Sequence, residues 1–94
     1  MINLEKVFNK RVEEIINRPV LNSVDKEVLQ GLVNFWREKG HSASAYRLED
    51  NASLIKLAKE YFAKKKGYKP TEAVETAITD IMCSLCISKY GRKN

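Results

Sequence analysis

Four stretches of this chain repeat apolar residues every three or four positions, and a proline or glycine closes each one. That period gathers side chains onto one face of an α-helix, so the pattern predicts four amphipathic helices. The first covers residues 2–17, where Leu4, Phe8, Val12 and Ile15 recur, joined by Val7 and Ile16. Pro19 stops it, because proline disfavours helical geometry in the residue before it. The second begins at Asn22 or Ser23, both favoured N-caps, with Asp25 and Glu27 where the helix dipole favours anions. Its stripe is Val24, Val28, Leu29, Leu32, Val33 and Trp36, and it ends at Lys39-Gly40. Gly31 in its interior costs about 1 kcal/mol against alanine. Either a close helix approach or a tolerated imperfection accounts for it.

Residues 41–50, HSASAYRLED, are the least regular part, and a connection carrying a short extra helix is expected there. The third helix runs from about Asn51 to Lys66, with Leu54, Ile55, Ala58, Tyr61 and Phe62 facing inward. Gly67 suits the left-handed position just past its end. The fourth spans roughly 70–90, with Pro70 in its first turn and Thr71 and Glu72 as polar N-terminal groups. Val74, Ala77, Ile78, Ile81, Met82, Leu85 and Cys86 make the longest apolar stripe in the chain. Residues 91–94 are expected to fray. The fold class that follows is all-α, an antiparallel four-helix bundle in a single domain spanning 1–94.

Ninety-four residues bury only about 60–65% of the surface they expose when unfolded, so the core must be modest. With 44% hydrophobic and 31% charged residues, the composition is that of an ordinary globular protein. The N-terminus lacks the continuous apolar core of a signal peptide, and no run approaches the ~18 apolar residues that span a bilayer. Two cysteines are too few for a secreted disulfide scaffold, so a cytoplasmic protein is expected.

The net charge of +5 is unevenly spread. Residues 55–69 hold six lysines against Glu60 alone, and Lys89, Arg92 and Lys93 add to the basic end. Such a field steers acidic partners, whether nucleic acid, an anionic membrane face or an acidic protein patch.

Enzyme chemistry finds little support. Cys83 and Cys86 form a CxxC, but with the lone His41 they supply too few ligands for zinc, and no metal or other cofactor is expected. Late in a helix, near its negative end, a thiolate is disfavoured, so both cysteines read as small core residues rather than a redox pair. His41 follows a helix end, where an imidazolium would meet the last carbonyls. It has no nucleophile and orienting acid to form a triad. Glu13 and Glu14 are adjacent and diverge on a helix, which makes them a solvated face. Trp36 continues the core stripe. Phe35 is then a boundary residue, against the 41–50 connection or on a partner surface.

The segment KEYFAKKKGYKPTE, residues 59–72, raises the question of DNA. A helix-turn-helix joins its helices by a tight, often glycine-bearing turn. After Leu57-Ala58 the first glycine is Gly67, more than two helical turns later, which argues against the motif. Lysines there still suit phosphates, and Tyr61, Phe62 and Tyr68 would stack bases if exposed. A small basic nucleic-acid-binding or phage/plasmid regulatory protein is therefore the alternative reading. Lys64, Lys65 and Lys66 also sit in the last turn of the expected helix, where the dipole favours cations without any partner.

From about Lys26 to Gly91 the ordered pattern EVLQGLVNFWREKGHSAS, AKKKGYKPTE and SKYG resembles the pediocin-like (class IIa) bacteriocin immunity proteins, near their enterocin A/mundticin-type branch. The 41–54 connection lacks proline after HSA, and the two helical cysteines are not a family feature. The resemblance implies a cytosolic, non-enzymatic four-helix protein that protects its host from a pore-forming peptide. It implies as partner the bacteriocin-bound mannose phosphotransferase permease, recognised at the inner side of the membrane. In that family the C-terminal half sets which bacteriocins are resisted. Carried onto this chain, partner binding falls to Lys64, Lys65, Lys66, Tyr68, Lys69, Tyr90, Arg92 and Lys93.

Overall fold

Helix starts are set by short polar side chains that take up free backbone N–H groups. In α1 (Leu4–Ile16) the Asn3 side chain accepts from the Lys6 amide at 3.1 Å. In α2 (Ser23–Glu38) Asn22 and Asp25 form a reciprocal capping box: the Asp25 amide donates to Asn22 at 2.8 Å, and the Asn22 amide to Asp25 at 3.2 Å. Such a cap contributes about 0.5–2 kcal/mol. α3 (Asn51–Ala63) is led in by a single 3-10 turn, Leu48–Asp50, which is the short extra helix expected in the 41–50 connection. For α4 (Glu72–Tyr90) the Val74 amide donates to Thr71 Oγ1 at 3.3 Å. Thr71 therefore caps the helix, and Pro70 lies just outside it rather than in its first turn.

The computed structural model describes residues 3–90, with the side chain of Tyr90 outside that description. The expected fraying of 91–94 lies outside the described residues. What is described is all-α, a four-helix bundle in which α1 lies along α4 and α2 along α3. Among the described residues, no helix is long and apolar enough to cross a membrane.

Two glycines end helices as the pattern demands. Gly40 adopts φ +90°, so its amide reaches Arg37 O at 3.0 Å and the His41 amide reaches Trp36 O at 2.9 Å, a Schellman closure. The backbone of His41, not its ring, satisfies the helix end; the ring faces Asp50, with Nδ1 to Oδ2 at 3.9 Å. Gly67 adopts φ +81°, but α3 has already stopped at Ala63. Lys64–Lys66 thus form a separate turn, closed by bonds from Lys65 N to Phe62 O (3.0 Å) and Tyr68 N to Lys65 O (3.2 Å). These lysines therefore stand at the helix's C-cap and just past it, not in its last turn, still beside the negative end of its dipole.

The core gathers Phe8, Val12 and Ile15 of α1, Leu29, Leu32 and Trp36 of α2, Leu54 and Ala58 of α3, and Val74, Ala77, Ile81 and Leu85 of α4. Trp36 is 1% exposed, and its indole N–H is satisfied by Leu54 O at 3.1 Å, which ties α2 to α3. The 41–47 segment is a packed loop that closes one end, with Ala43 and Tyr46 fully buried. Its Ser44 amide donates to Glu5 at 3.1 Å, its Ser44 carbonyl accepts from Lys89 at 2.5 Å, and the Tyr46 hydroxyl donates to Asn51 at 2.6 Å.

Four residues expected in the core are exposed: Val7, Val24, Ile55 and Cys83. Val24 is 56% exposed, because the first turn of α2 presents the capping Asp25 inward instead. Ile55 is 47% exposed, because Leu54 and Ala58 carry the inward face of α3. Gly31 does permit a close approach: a Cβ there would fall within 3.2 Å of Tyr61 Cζ and closer still to its hydroxyl.

Candidate interaction surface

The turn between α3 and α4 is held by aromatic side chains from both sides. Phe35, Tyr61, Phe62 and Tyr68 run in sequence, with ring centroids 5.7, 5.5 and 6.0 Å apart. Lys65 lies 5.0 Å over Tyr61 and Lys39 lies 5.4 Å over Phe35, so cation–π contacts flank the row. Phe35 is thus a boundary residue against α3, not against the 41–50 connection. At the end of the row, the Tyr68 hydroxyl donates to Asp25 Oδ1 at 2.8 Å. Asp25 is itself buried, so one carboxylate both caps α2 and latches the α3–α4 turn. Burial, followed by the hydrogen bond and negative charge of Asp25, pushes the Tyr68 phenol above its ordinary range. The phenol therefore stays a donor at physiological pH.

This latch leaves the lysines outside. Lys64, Lys65, Lys66 and Lys69 are exposed around the turn. Among the described residues, none of the four has a carboxylate within ion-pair distance. Tyr68 is half-buried and committed to Asp25, so it positions the turn while the lysines display charge. Tyr90 ends α4, and Arg92 and Lys93 lie outside the described residues. Tyr61, Phe62 and Tyr68, the residues suited to stacking bases, are packed on one another instead.

A second feature had no counterpart among the expected site residues. α3 and α4 are held apart, and between them runs an open, largely apolar groove of about 830 Å³. Ile55, Ala58, Lys59 and Phe62 form its α3 wall, and Glu75, Ile78, Met82, Cys83 and Cys86 its α4 wall. Tyr46 and Leu48 stand at one end and Pro70 at the other. The α4 wall arises because its apolar stripe is wider than one neighbour covers. Ala77, Ile81 and Leu85 are buried, while Ile78, Met82 and Cys86, one residue further on, sit about 100° round the helix and face the groove. The width of that stripe was the available signal.

The cysteines belong to this wall. Cys83 is exposed and Cys86 half-buried, both as free thiols, so Cys83 is not a core residue as its spacing suggested. Among the described residues, no cluster of His, Cys, Asp and Glu could hold a metal ion. What the arrangement offers is surface: a basic turn at one end of an apolar groove. No protein-family model, curated protein or solved structure matches the chain.

Proposed function

We propose that this protein is a non-enzymatic binding module that protects its host cell from a class IIa pore-forming bacteriocin, acting in the cytoplasm at the inner face of the membrane. Its partner is the bacteriocin-bound mannose phosphotransferase permease. The observation that carries this reading is the exposed lysine turn Lys64–Lys66 with Lys69, without a described carboxylate in ion-pair range, at the end of a four-helix bundle and within the AKKKGYKPTE segment that bears the resemblance. An anionic inner leaflet attracts such residues at about 1 kcal/mol per lysine near the surface, which would hold the turn where a membrane receptor is reached. The Tyr68–Asp25 latch supports the reading because a fixed turn presents its charges with less ordering cost on binding.

The test is expression in a sensitive lactic-acid bacterium, followed by challenge with a panel of class IIa bacteriocins. The expected result is raised resistance to at least one of them, lost when Lys64, Lys65, Lys66 and Lys69 are replaced by glutamine. Unchanged sensitivity across the whole panel would sink the proposal.

A further inference from the structure

We propose that the groove between α3 and α4 is a docking site for one amphipathic helix of a partner protein, acidic along the flank that meets α3. The groove extends from Leu48 to Phe62 along one wall and from Pro70 to Cys86 along the other. That is the length of α3, roughly 20 Å, or between three and four turns of a docked helix. Its floor and walls are apolar, supplied by Ala58, Phe62, Ile78, Met82 and Ile55. Helix-in-groove recognition needs such a seam to receive residues spaced i, i+3, i+4 and i+7.

Charge decides which helix fits. Lys59 lines the α3 wall, and Lys56 lies one turn earlier on its outer side. The α4 wall carries Glu75 in place of a cation. Among the described residues, Lys56, Lys59 and Glu75 have no partner of opposite charge within ion-pair distance. The rims are therefore of opposite sign, and a docked helix gains by placing carboxylates toward α3 and neutral or basic residues toward α4.

A second copy of this chain is a poor occupant. The groove is concave, and a filler must present a convex apolar stripe. Apart from Leu48 and Ile55, which line the groove, the large exposed hydrophobics among the described residues are Val7, Val20 and Val24. They lie on α1, in the α1–α2 connection and in the first turn of α2, and form no helical stripe.

The inference does not depend on bacteriocin resistance, so it can hold where the bacteriocin challenge fails. Two synthetic helical peptides of about 16 residues test it, both with leucines at i, i+3, i+4 and i+7. One carries glutamates along one flank, and the other carries lysines at those positions. Binding is read by fluorescence polarisation of labelled peptide and by the alkylation rate of the groove thiol Cys83. The expected result is that the acidic-flank peptide binds about tenfold tighter or better and slows Cys83 alkylation by a similar factor. Lys56→Glu with Lys59→Glu, both exposed, should reverse the preference between peptides. Ile55→Asp should abolish binding while leaving the helical circular dichroism unchanged.

Equal binding of both peptides overturns the charge assignment, and failure of both to protect Cys83 overturns the docking site. A dimer in sedimentation that Ile55→Asp dissolves makes a second copy the occupant and refutes the proposal. Binding of an apolar dye that neither peptide displaces refutes it in favour of a small-molecule cavity.

Discussion

α4 has a neighbour on each side, and the two sides are built differently. Against α1 it is closed: Val74, Ala77, Ile81 and Leu85 are buried in the common core with Phe8, Val12 and Ile15. A salt bridge between Arg18 and Asp80, at 2.7 Å, lies on the same side. Toward α3 it is open, with Ile78, Met82 and Cys86 only partly buried at the core's edge and lining a groove. Both sides come from one apolar stripe on one helix. The difference lies in how far each neighbour approaches. α3 is drawn to α2 by the Trp36–Leu54 bond and by Tyr61 seated over Gly31. Tyr46 and Phe62 line the groove that is left between α3 and α4.

The contrast can be broken most directly on α4 and α3 themselves. Ile81→Ala, at a fully buried position, should cost about 2–5 kcal/mol in urea unfolding. A smaller effect tests the junction that keeps α3 on α2. Gly31→Ala should destabilise by about 1–2 kcal/mol despite its better helix propensity, because the new methyl displaces the Tyr61 ring from its aromatic row. Tyr61→Phe, which removes the hydroxyl, should recover part of that loss, and a double-mutant cycle measures the coupling. Additive effects would mean that Tyr61 does not need the space left by Gly31.

The latch comes next. Tyr68→Phe should cost about 1 kcal/mol at neutral pH, since Asp25 loses a buried hydrogen-bond donor. Its pH dependence has a definite sign. Burial raises the phenol's folded-state value, so its contribution is whole below the unfolded tyrosine value of about 10 and is lost as pH rises toward the folded value. The wild type should therefore lose stability above about pH 10 more steeply than Tyr68→Phe, as followed by circular dichroism. The smallest effect should fall on the groove: Ile55→Asp should change stability by no more than about 0.5 kcal/mol. If it costs as much as Ile81→Ala, the groove is closed in solution and the contrast between the two sides of α4 disappears.

Much of this architecture was legible because it is local. Asn22 with Asp25 announces a helix start, and Gly40 announces an end, through chemistry that needs only a few neighbouring residues. Trp36 was readable as core from spacing alone. Legibility failed where two local signals competed. Gly67 marked a turn correctly, but α3 stops at Ala63, so the lysines once placed on the helix belong to the turn. Cys83 shares a three-residue spacing with Cys86 yet points outward, because spacing defines a face without saying whether anything covers it.

The candidate surface divides in the same way. The basic turn was visible as a run of lysines, and the structure adds that no described carboxylate pairs with them and that Tyr68 faces inward to Asp25. The groove was signalled only by the width of the α4 stripe, which does not say which part of it a neighbour covers.

The sequence by itself determined the number of helices, the start and end of α2 and most of the inward line of each helix, because these follow from covalent neighbours within about one turn. Only the tertiary structure decided that α3 settles on α2 and stands off from α4. That choice depends on contacts such as Tyr61 with Gly31 and Tyr68 with Asp25, between residues 30 and 43 positions apart. Local periodicity carries no record of such distances. The same apolar stripe could have been sealed into the core, and long-range packing left Ile78, Met82 and Cys86 lining a groove.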